Sequence, residues 1–410
     1  MKMDVFTWHP QAVLYTPEGK PIAAKDHLEG QPNNIHPLIA FFTSLKAGQS
    51  PYVKKDGAIA NGPKTPFENM FYSASGGSTG EPKLICRSCK SWLLSFQENK
   101  NLLNISQKKS YATLGHLSHS LTLYAALEAL TIGANFYPLG GMSVAQQLKQ
   151  IAQQRIQILY ATPTQLRLLT KLASLERPLM AVEGIMIGGG RLDYETKKLV
   201  QKLCPTAQIK EFYGAAETSF VTISDPSTPL GSVGQPYKDV NIKILNADQK
   251  KVKAGDSGEI WVKSPYLFSH YADGANQHTR WRNGWLSIGE LGKLDEQGNL
   301  YLTGRKSRVF KIADQNIYPE EIEMALSRHP DISMAFVTDF PDKMRGAIAV
   351  GVIATKSGKI PHDIGNWCRQ NLSVRSRPAL FFHLAAEDWP LLSSGKTDMA
   401  AIKNMVGKKI

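Results

Sequence analysis

Residues 73–83 read Ser-Ala-Ser-Gly-Gly-Ser-Thr-Gly-Glu-Pro-Lys, so glycines, hydroxyls and one lysine fall within a single short stretch. Glycine lets successive backbone N–H groups turn inward to form a concavity, and hydroxyl and ammonium groups add donors for phosphate oxygens. Ser75, Gly76, Gly77, Ser78, Thr79, Gly80 and Lys83 are therefore candidate phosphate ligands. A surface turn would carry the same composition, and the stretch alone leaves both readings open. It is not a Walker loop, because the G-x-x-x-x-G-K-[ST] spacing is absent. The late Gly395-Lys396-Thr397 fails the same pattern, since Pro390 stands at the partner position. A second glycine cluster, Gly188-Gly189-Gly190, follows the apolar run Ile185-Met186-Ile187.

The elements that must hold these residues change character along the chain. Ile156–Tyr160 reads as a buried strand, Pro163–Leu172 as the helix after it, and Ile185–Ile187 and Ile209–Phe212 as two further strands. Strand and helix alternating in this way predict a large α/β domain with a mainly parallel sheet, whose ligands sit at the carboxyl ends of the strands. From Val240 strict alternation and turn signals predict an antiparallel β-rich module, with strands at Val240–Ile244, Glu259–Val262 and Leu300–Leu302. Beyond Arg305 a helix opened by Pro319, an apolar run at Val350–Ile353 and a basic tail predict a small α+β domain. The expected division is residues 1–306 and 308–410, with a hinge at Ser307. Residues 1–70 carry no motif.

Composition narrows the function classes. A chain of 410 residues, 42% hydrophobic, can bury one large core and a smaller second one. The longest apolar stretch, Leu121–Ile132, is too short to cross a bilayer and contains Glu128. Met1-Lys2-Met3-Asp4 lacks a secretory h-region, so the expected location is the cytoplasm. The net charge of +13 suits phosphorylated small molecules or an acidic partner. No zinc-finger, homeodomain or RNA-recognition signature is present, and nucleic acid is not an expected partner. Cys86 and Cys89 form a lone C-x-x-C; a structural zinc site needs two more matched ligands, and two half-buried strand cysteines are the expected reading.

The motifs taken in order resemble those of the adenylate-forming superfamily, which includes acyl-CoA synthetases, peptide-synthetase adenylation domains and luciferases. Residues 75–83 are similar to its S-G-S-T-G-x-P-K loop, and Tyr213-Gly214-Ala215-Ala216-Glu217 to Y-G-x-T-E. Gly284–Glu290 is similar to G-W-x-x-T-G-D, and Gly304-Arg305 through Lys311, then Pro319–Glu323, to the hinge region G-R-x-D-x-x-I-K…P-x-E-I-E. Pro390 to Lys396 resembles the terminal P-x-x-x-x-G-K. The resemblance runs from Phe71 to Ala400, most of the chain.

That resemblance implies an ATP-dependent ligase which makes an acyl-AMP and passes the acyl group to a thiol. It implies ATP, Mg²⁺ and CoA as cofactors and a small carboxylic acid as substrate. Thr79 and its loop would hold the pyrophosphate end of ATP. Gly188–Gly190 would admit adenine, with Tyr213, Gly214 and Ala215 beside it. Glu217 would ligate Mg²⁺, Glu290 and Arg305 would hold the ribose, and Lys311 would belong to the nucleotide site. Lys396 would bridge the acid and the α-phosphate. His119, fourteen residues before Gly133, matches a gate to the acyl pocket, and His116 has no such support.

Several positions depart from the family pattern. Leu84 replaces a glycine, Ala216 a threonine and Glu290 an aspartate; Ser307 stands at the hinge, and Asp314 where a glycine often lines the thiol tunnel. Residues 1–70 correspond to a shortened or rebuilt front. Two alternatives remain open at this point: an acyl-AMP ligase that loads an acyl carrier protein in polyketide, siderophore or lipid biosynthesis, and a degenerate nucleotide-binding relative. Ser120 stands where amino-acid-activating relatives place an Asp, so the expected acid is aryl, fatty or β-keto.

Overall fold

The central sheet follows from strands whose successive residues feed opposite faces. The computed structural model describes residues 4–24, 36–74, 83–105, 108–190, 192–274, 278–391 and 397–408. In the strands Ser110–Thr113, Ile158–Ala161 and Gly184–Ile187, the residues Tyr111, Ile158, Tyr160 and Met186 enter one core. Their neighbours Ala112, Leu159, Ala161 and Ile187 enter the other. The helices Val144–Gln153, Pro163–Leu172 and Tyr194–Leu203 cover the second face, and Pro37–Lys46, Cys89–Leu102 and Ser120–Ile132 the first. The result is a three-layer α/β domain, as expected.

The nine strands run in the order Gln235–Pro236, Ser219–Ile223, Gln208–Ala215, Gly184–Ile187, Ile158–Ala161, Ser110–Thr113, Asn135–Pro138, Val13–Tyr15 and Pro21–Ala23. The six from Gln208–Ala215 to Val13–Tyr15 are parallel, and the flanking pairs are antiparallel. From Ser110–Thr113 the chain goes first to one neighbour, Asn135–Pro138, and then to the other, Ile158–Ala161. Strand order thus reverses there, and a crevice opens at the carboxyl ends of such a pair.

Local signals set the helix starts. Thr162 accepts from the Gln165 backbone N–H, and the Gln165 side chain accepts from the Thr162 N–H, with Pro163 at the first helical turn. The helix Ser120–Ile132 is buried from Thr122 to Thr131 and ends at Gly133, whose φ is +92°. Its all-round apolar character reflects burial between the sheet and the helix Cys89–Leu102. At the front, Leu38, Phe41 and Leu45 of Pro37–Lys46 enter the same core, and Val13–Tyr15 joins the sheet.

A second, wholly antiparallel sheet contains Asn241–Leu245, Gly258–Lys263, Arg280–Arg282, Trp285–Ser287, Glu290–Leu294 and Leu300–Arg305. A third joins Met70–Ala74, Leu84–Ser88 and His270–Tyr271. The small carboxyl-terminal part pairs Ile332–Asp342 with Gly346–Thr355, adds Leu380–His383 in parallel, and packs helices Pro319–Leu326, Ile364–Asn371 and Met399–Gly407 with its cores. The cysteine expectation needs correcting. Cys86 is on a strand but Cys89 opens a helix, and both are fully buried, with Cys89 pushed up to about 12 by burial.

Candidate active site

One cavity of about 460 Å³ lies at the strand-order reversal. Gly115, Thr162, Gly189 and the pair Gly214 and Ala215 come to it from the carboxyl ends of four strands. Trp92, Tyr124, Tyr160 and Phe220 present rings to it, and His119, Ser120 and Leu121 enter from the start of the helix Ser120–Ile132. Ala74, at the edge of the hairpin that carries the phosphate-type loop, closes another side and bridges to the His119 backbone.

Behind the rings sits a buried polar network. Tyr160 Oη donates to Glu128 Oε2 at 2.5 Å and Asn99 Nδ2 donates to Glu128 Oε1 at 2.9 Å. The Tyr124 hydroxyl lies 2.8 Å from Ser95 Oγ and 3.4 Å from Glu128 Oε1, and Tyr237 Oη donates to Asn99 Oδ1 at 2.7 Å. Burial pushes the Glu128 carboxyl up to about 7, against hydrogen bonds from Tyr160 and Asn99 that favour its charged form.

The residues expected at the ribose converge. Tyr213 Oη donates to Glu290 Oε2, and Arg305 Nη2 donates to Glu290 Oε1 at 3.1 Å. Burial, then the Glu290 carboxylate, pushes the Tyr213 hydroxyl far above its ordinary range. Gly214 sits at a bulge where an added Cβ would stand 1.8 Å from the Ser219 carbonyl oxygen, so no other residue fits. Gly188 makes room for the Phe212 ring, which a Cβ there would meet at 2.2 Å. Its glycine thus answers a packing demand, whereas Gly189, with φ +84°, faces the cavity. Gly190 follows it as an exposed residue.

Glu217 is half-buried, and Tyr271 Oη donates to its Oε1 at 2.8 Å while lying 2.9 Å from Thr279 Oγ1. Lys83 Nζ stands 5.6 Å from the centre of the Tyr271 ring, so the lysine and the carboxylate share a neighbour. One carboxylate with adjacent hydroxyl oxygens suits Mg²⁺, which keeps several waters and takes its other ligands from phosphates. His119 lies at the cavity mouth, partly open to solvent. The enclosing walls, then His116, hold its imidazole below the usual histidine range. His116, which had no motif support, lines the same cavity, and its Nδ1 is 2.8 Å from Ser118 Oγ.

Other expected residues lie elsewhere. Lys311 is exposed on the hairpin Phe310–Ile312/Gln315–Ile317 and is not among the described cavity-lining residues. Asp314 occupies the turn of that hairpin with φ +66°, a left-handed conformation that explains why glycine suits the position. Ser75, Gly76, Gly77, Ser78, Thr79, Gly80 and Lys396 lie outside the described residues. Arg87, Trp92 and the Glu128 network were missed by sequence reasoning; an arginine inside an otherwise apolar strand was the available signal for the first.

The chain matches the family described as AMP-binding enzyme over residues 14–272 and the AMP-binding enzyme C-terminal domain over residues 321–396. The chain belongs to the AMP-binding enzyme family. It is 31% identical over 406 residues to the uncharacterized acyl-CoA ligase YhfT of Bacillus subtilis, covering 95% of this chain and 82% of that protein. It is 26% identical over 327 residues to the 2-succinylbenzoate–CoA ligase of Enterococcus faecalis, covering 78% and 66%. Among solved structures it is similar to the o-succinylbenzoate CoA synthetase MenE of Bacillus subtilis with its acyl-adenylate intermediate. That match has a TM-score of 0.71 and 26% identity, over 81% of this chain and 68% of that one. The same synthetase with ATP and magnesium matches with a TM-score of 0.71 and 26% identity, over 81% and 69%.

Proposed function

We propose that this member of the AMP-binding family is an AMP-forming acid–thiol ligase: it activates a carboxylic acid with ATP and transfers the acyl group to CoA. The observation that carries this reading is the joining of two sites. The cavity ends at Gly214, Ala215 and Ala216, and the next residues of the same segment lead to Glu217, with Tyr213 tied to Glu290 and Arg305 on the other side. An acid in the cavity therefore meets a nucleotide held by the Tyr213–Glu290–Arg305 group. Glu217 would hold Mg²⁺, which would neutralise phosphate charge when bound. Lys396 donates to the developing negative charge as the carboxylate oxygen attacks the α-phosphorus and pyrophosphate leaves. The thiol then attacks the acyl carbon, and AMP leaves.

The acid is an aryl acid. The cavity is walled by Trp92, Tyr124, Tyr160 and Phe220, and two of these rings are fixed from behind by the Glu128 network. Stacking on planar rings favours an aryl group, and a wall so braced resists the displacement that a long acyl chain would demand. No described residue lining the cavity is acidic, and Ser120 supplies no countercharge, so an α-ammonium would be left unpaired.

The hinge reading places Ser307 between two anchored arginines. Arg305 pairs with Glu290 at 3.1 Å, whereas Arg308 pairs with Glu320 at 3.1 Å and Glu323 at 2.6 Å in the small domain. Rotation about residues 306–307 would leave both anchors intact while changing which face of the small domain closes the cavity.

The test is ATP–pyrophosphate exchange with benzoate, 3-phenylpropanoate, acetoacetate, octanoate, palmitate and the common amino acids. The product mass is then read with either CoA or a holo-carrier protein. Fastest exchange with an aryl acid and a new acyl-CoA are expected. Exchange led by palmitate overturns the aryl assignment, acylation of the carrier alone replaces CoA as acceptor, and no exchange with any acid sinks the enzyme reading.

A further inference from the structure

The strand Leu84–Ser88 carries an arginine where a buried strand ordinarily holds an apolar side chain. Arg87 is 1% exposed, its strand neighbour Cys86 is fully buried, and its cross-strand partner is the buried Phe71. Nη1 donates to the Tyr266 carbonyl at 2.7 Å and to Ser91 Oγ at 3.3 Å, and Nη2 donates to the Ala216 carbonyl. The Nε–H has no acceptor. The guanidinium carbon lies 5.6 Å from the centre of the Trp92 ring. Every one of these partners is formally neutral, and no carboxylate among the described residues forms an ion pair with Arg87.

A buried charge without a counterion is strongly unfavourable, and proteins ordinarily pair it. Carbonyl dipoles and an aromatic face solvate this cation but do not cancel it. Burial pushes the guanidinium down to about 10, opposed by the field of Glu217, so it remains charged at neutral pH. Arg87 forms part of the wall of the cavity described above, and it is the one lysine or arginine among the described lining residues; none of them is aspartate or glutamate. The cavity wall thus carries a positive charge with no carboxylate of its own, and only the field of Glu217, just beyond the wall, partly offsets it.

We propose that Arg87 is the charge selector of the acid site: it draws the substrate carboxylate into the cavity and rejects acids that bear an ammonium group. The proposal rests on the acid-activating reading for its substrate class, but binding can test it without turnover. Arg87 acts through its field, with the Ala216 carbonyl between it and the loop that precedes Glu217, so it is a positioning and selecting residue. A ligand carboxylate supplies the missing negative charge, whereas an ammonium adds a second cation to the same low-dielectric space.

The experiment compares 3-phenylpropanoate with L-phenylalanine, which share ring and carboxylate and differ by the ammonium group. Binding of each, and of ATP, to the full-length chain and to Arg87→Met and Arg87→Lys is measured by calorimetry, beside ATP–pyrophosphate exchange. Arg87→Met should weaken 3-phenylpropanoate by about tenfold or more and shrink the preference over phenylalanine by a similar factor, with ATP affinity changed less than about twofold. Arg87→Lys, which keeps the charge, should restore most of the preference. If the methionine variant does not fold, Arg87→Gln, which can still donate to a carbonyl, carries the comparison. An unchanged preference in a folded neutral variant overturns the proposal. So does equal loss of acid and ATP binding in both the methionine and lysine variants, which would make Arg87 only a clamp on Tyr266 and Ala216. Wild-type binding preference without exchange would uphold the selector and reject the enzyme reading; wild-type binding of neither acid would reject the selector.

Discussion

Replacing Glu128 by glutamine should stabilise the large domain at pH 8 and change it little at pH 5. The carboxyl is fully buried among Asn99, Tyr124 and Tyr160, and burial moves it from 4.5 to about 7. A carboxyl whose folded value lies above its unfolded one holds its proton longer in the folded chain. Its contribution to stability is therefore greatest below about pH 4.5, falls as the pH rises towards 7, and levels off above that. At about 1.4 kcal/mol per pH unit, the interval amounts to roughly 3 kcal/mol lost by pH 8. Glutamine resembles the protonated acid: its oxygen still accepts from Asn99, and its amide can donate to the Tyr160 hydroxyl oxygen. Urea unfolding of both chains, followed by near-ultraviolet dichroism from pH 5 to 8, reads the difference directly, because contributions from distant groups cancel between them. The variant should gain on the wild type by a few kcal/mol across that range. A difference that stays constant with pH, or wild type gaining on the variant, would refute the reasoning.

Two further outcomes follow from the proposed chemistry. Lys396→Ala should lower acid-dependent pyrophosphate exchange by ~10²–10³, the usual cost of one lost donor to a developing oxyanion, and near-wild-type exchange in a folded variant would reassign the lysine. Ser307→Pro fixes φ and restricts Lys306, whose N–H donates to the Gly289 carbonyl at 2.8 Å. It should therefore slow adenylation and thioester formation from supplied acyl-AMP to very different degrees, and equal slowing would remove the hinge.

The strand–helix alternation, the helix at Pro163–Leu172 and the one opened by Pro319 were legible because period and caps are local signals. The strand placed at Ile156–Tyr160 begins two residues later, at Ile158, although the Gln157 N–H already donates to the Ser110 carbonyl of the neighbouring strand. Less legible was anything depending on long-range convergence. Glu128 showed in the sequence only as a charge interrupting an apolar run, and its network draws on residues from four separate elements or loops. Gly188 looked like a ligand glycine, but its constraint comes from Phe212 on the adjacent strand. His116 and His119 differ in sequence support, yet the turn between them brings both to the cavity.

Arg87, against the Trp92 ring, and Glu128, bonded to the Tyr160 hydroxyl, bear on one property of the cavity. An ionised Glu128 would set a negative charge behind Tyr124 and Tyr160 and offset the field that Arg87 brings to the wall. Burial raises its carboxyl to about 7, so through the acidic range it is held neutral. The hydroxyls of Tyr124 and Tyr160 are also turned into the network. Phe220 adds to this wall, its ring packed edge-on against Tyr124 with the ring centres 5.2 Å apart. The network and its burial thus serve different ends. The hydrogen bonds hold the rings in place. Burial, working against those bonds, holds Glu128 neutral in the acidic range and so keeps a negative charge from building up behind the wall of a site proposed to take an anion.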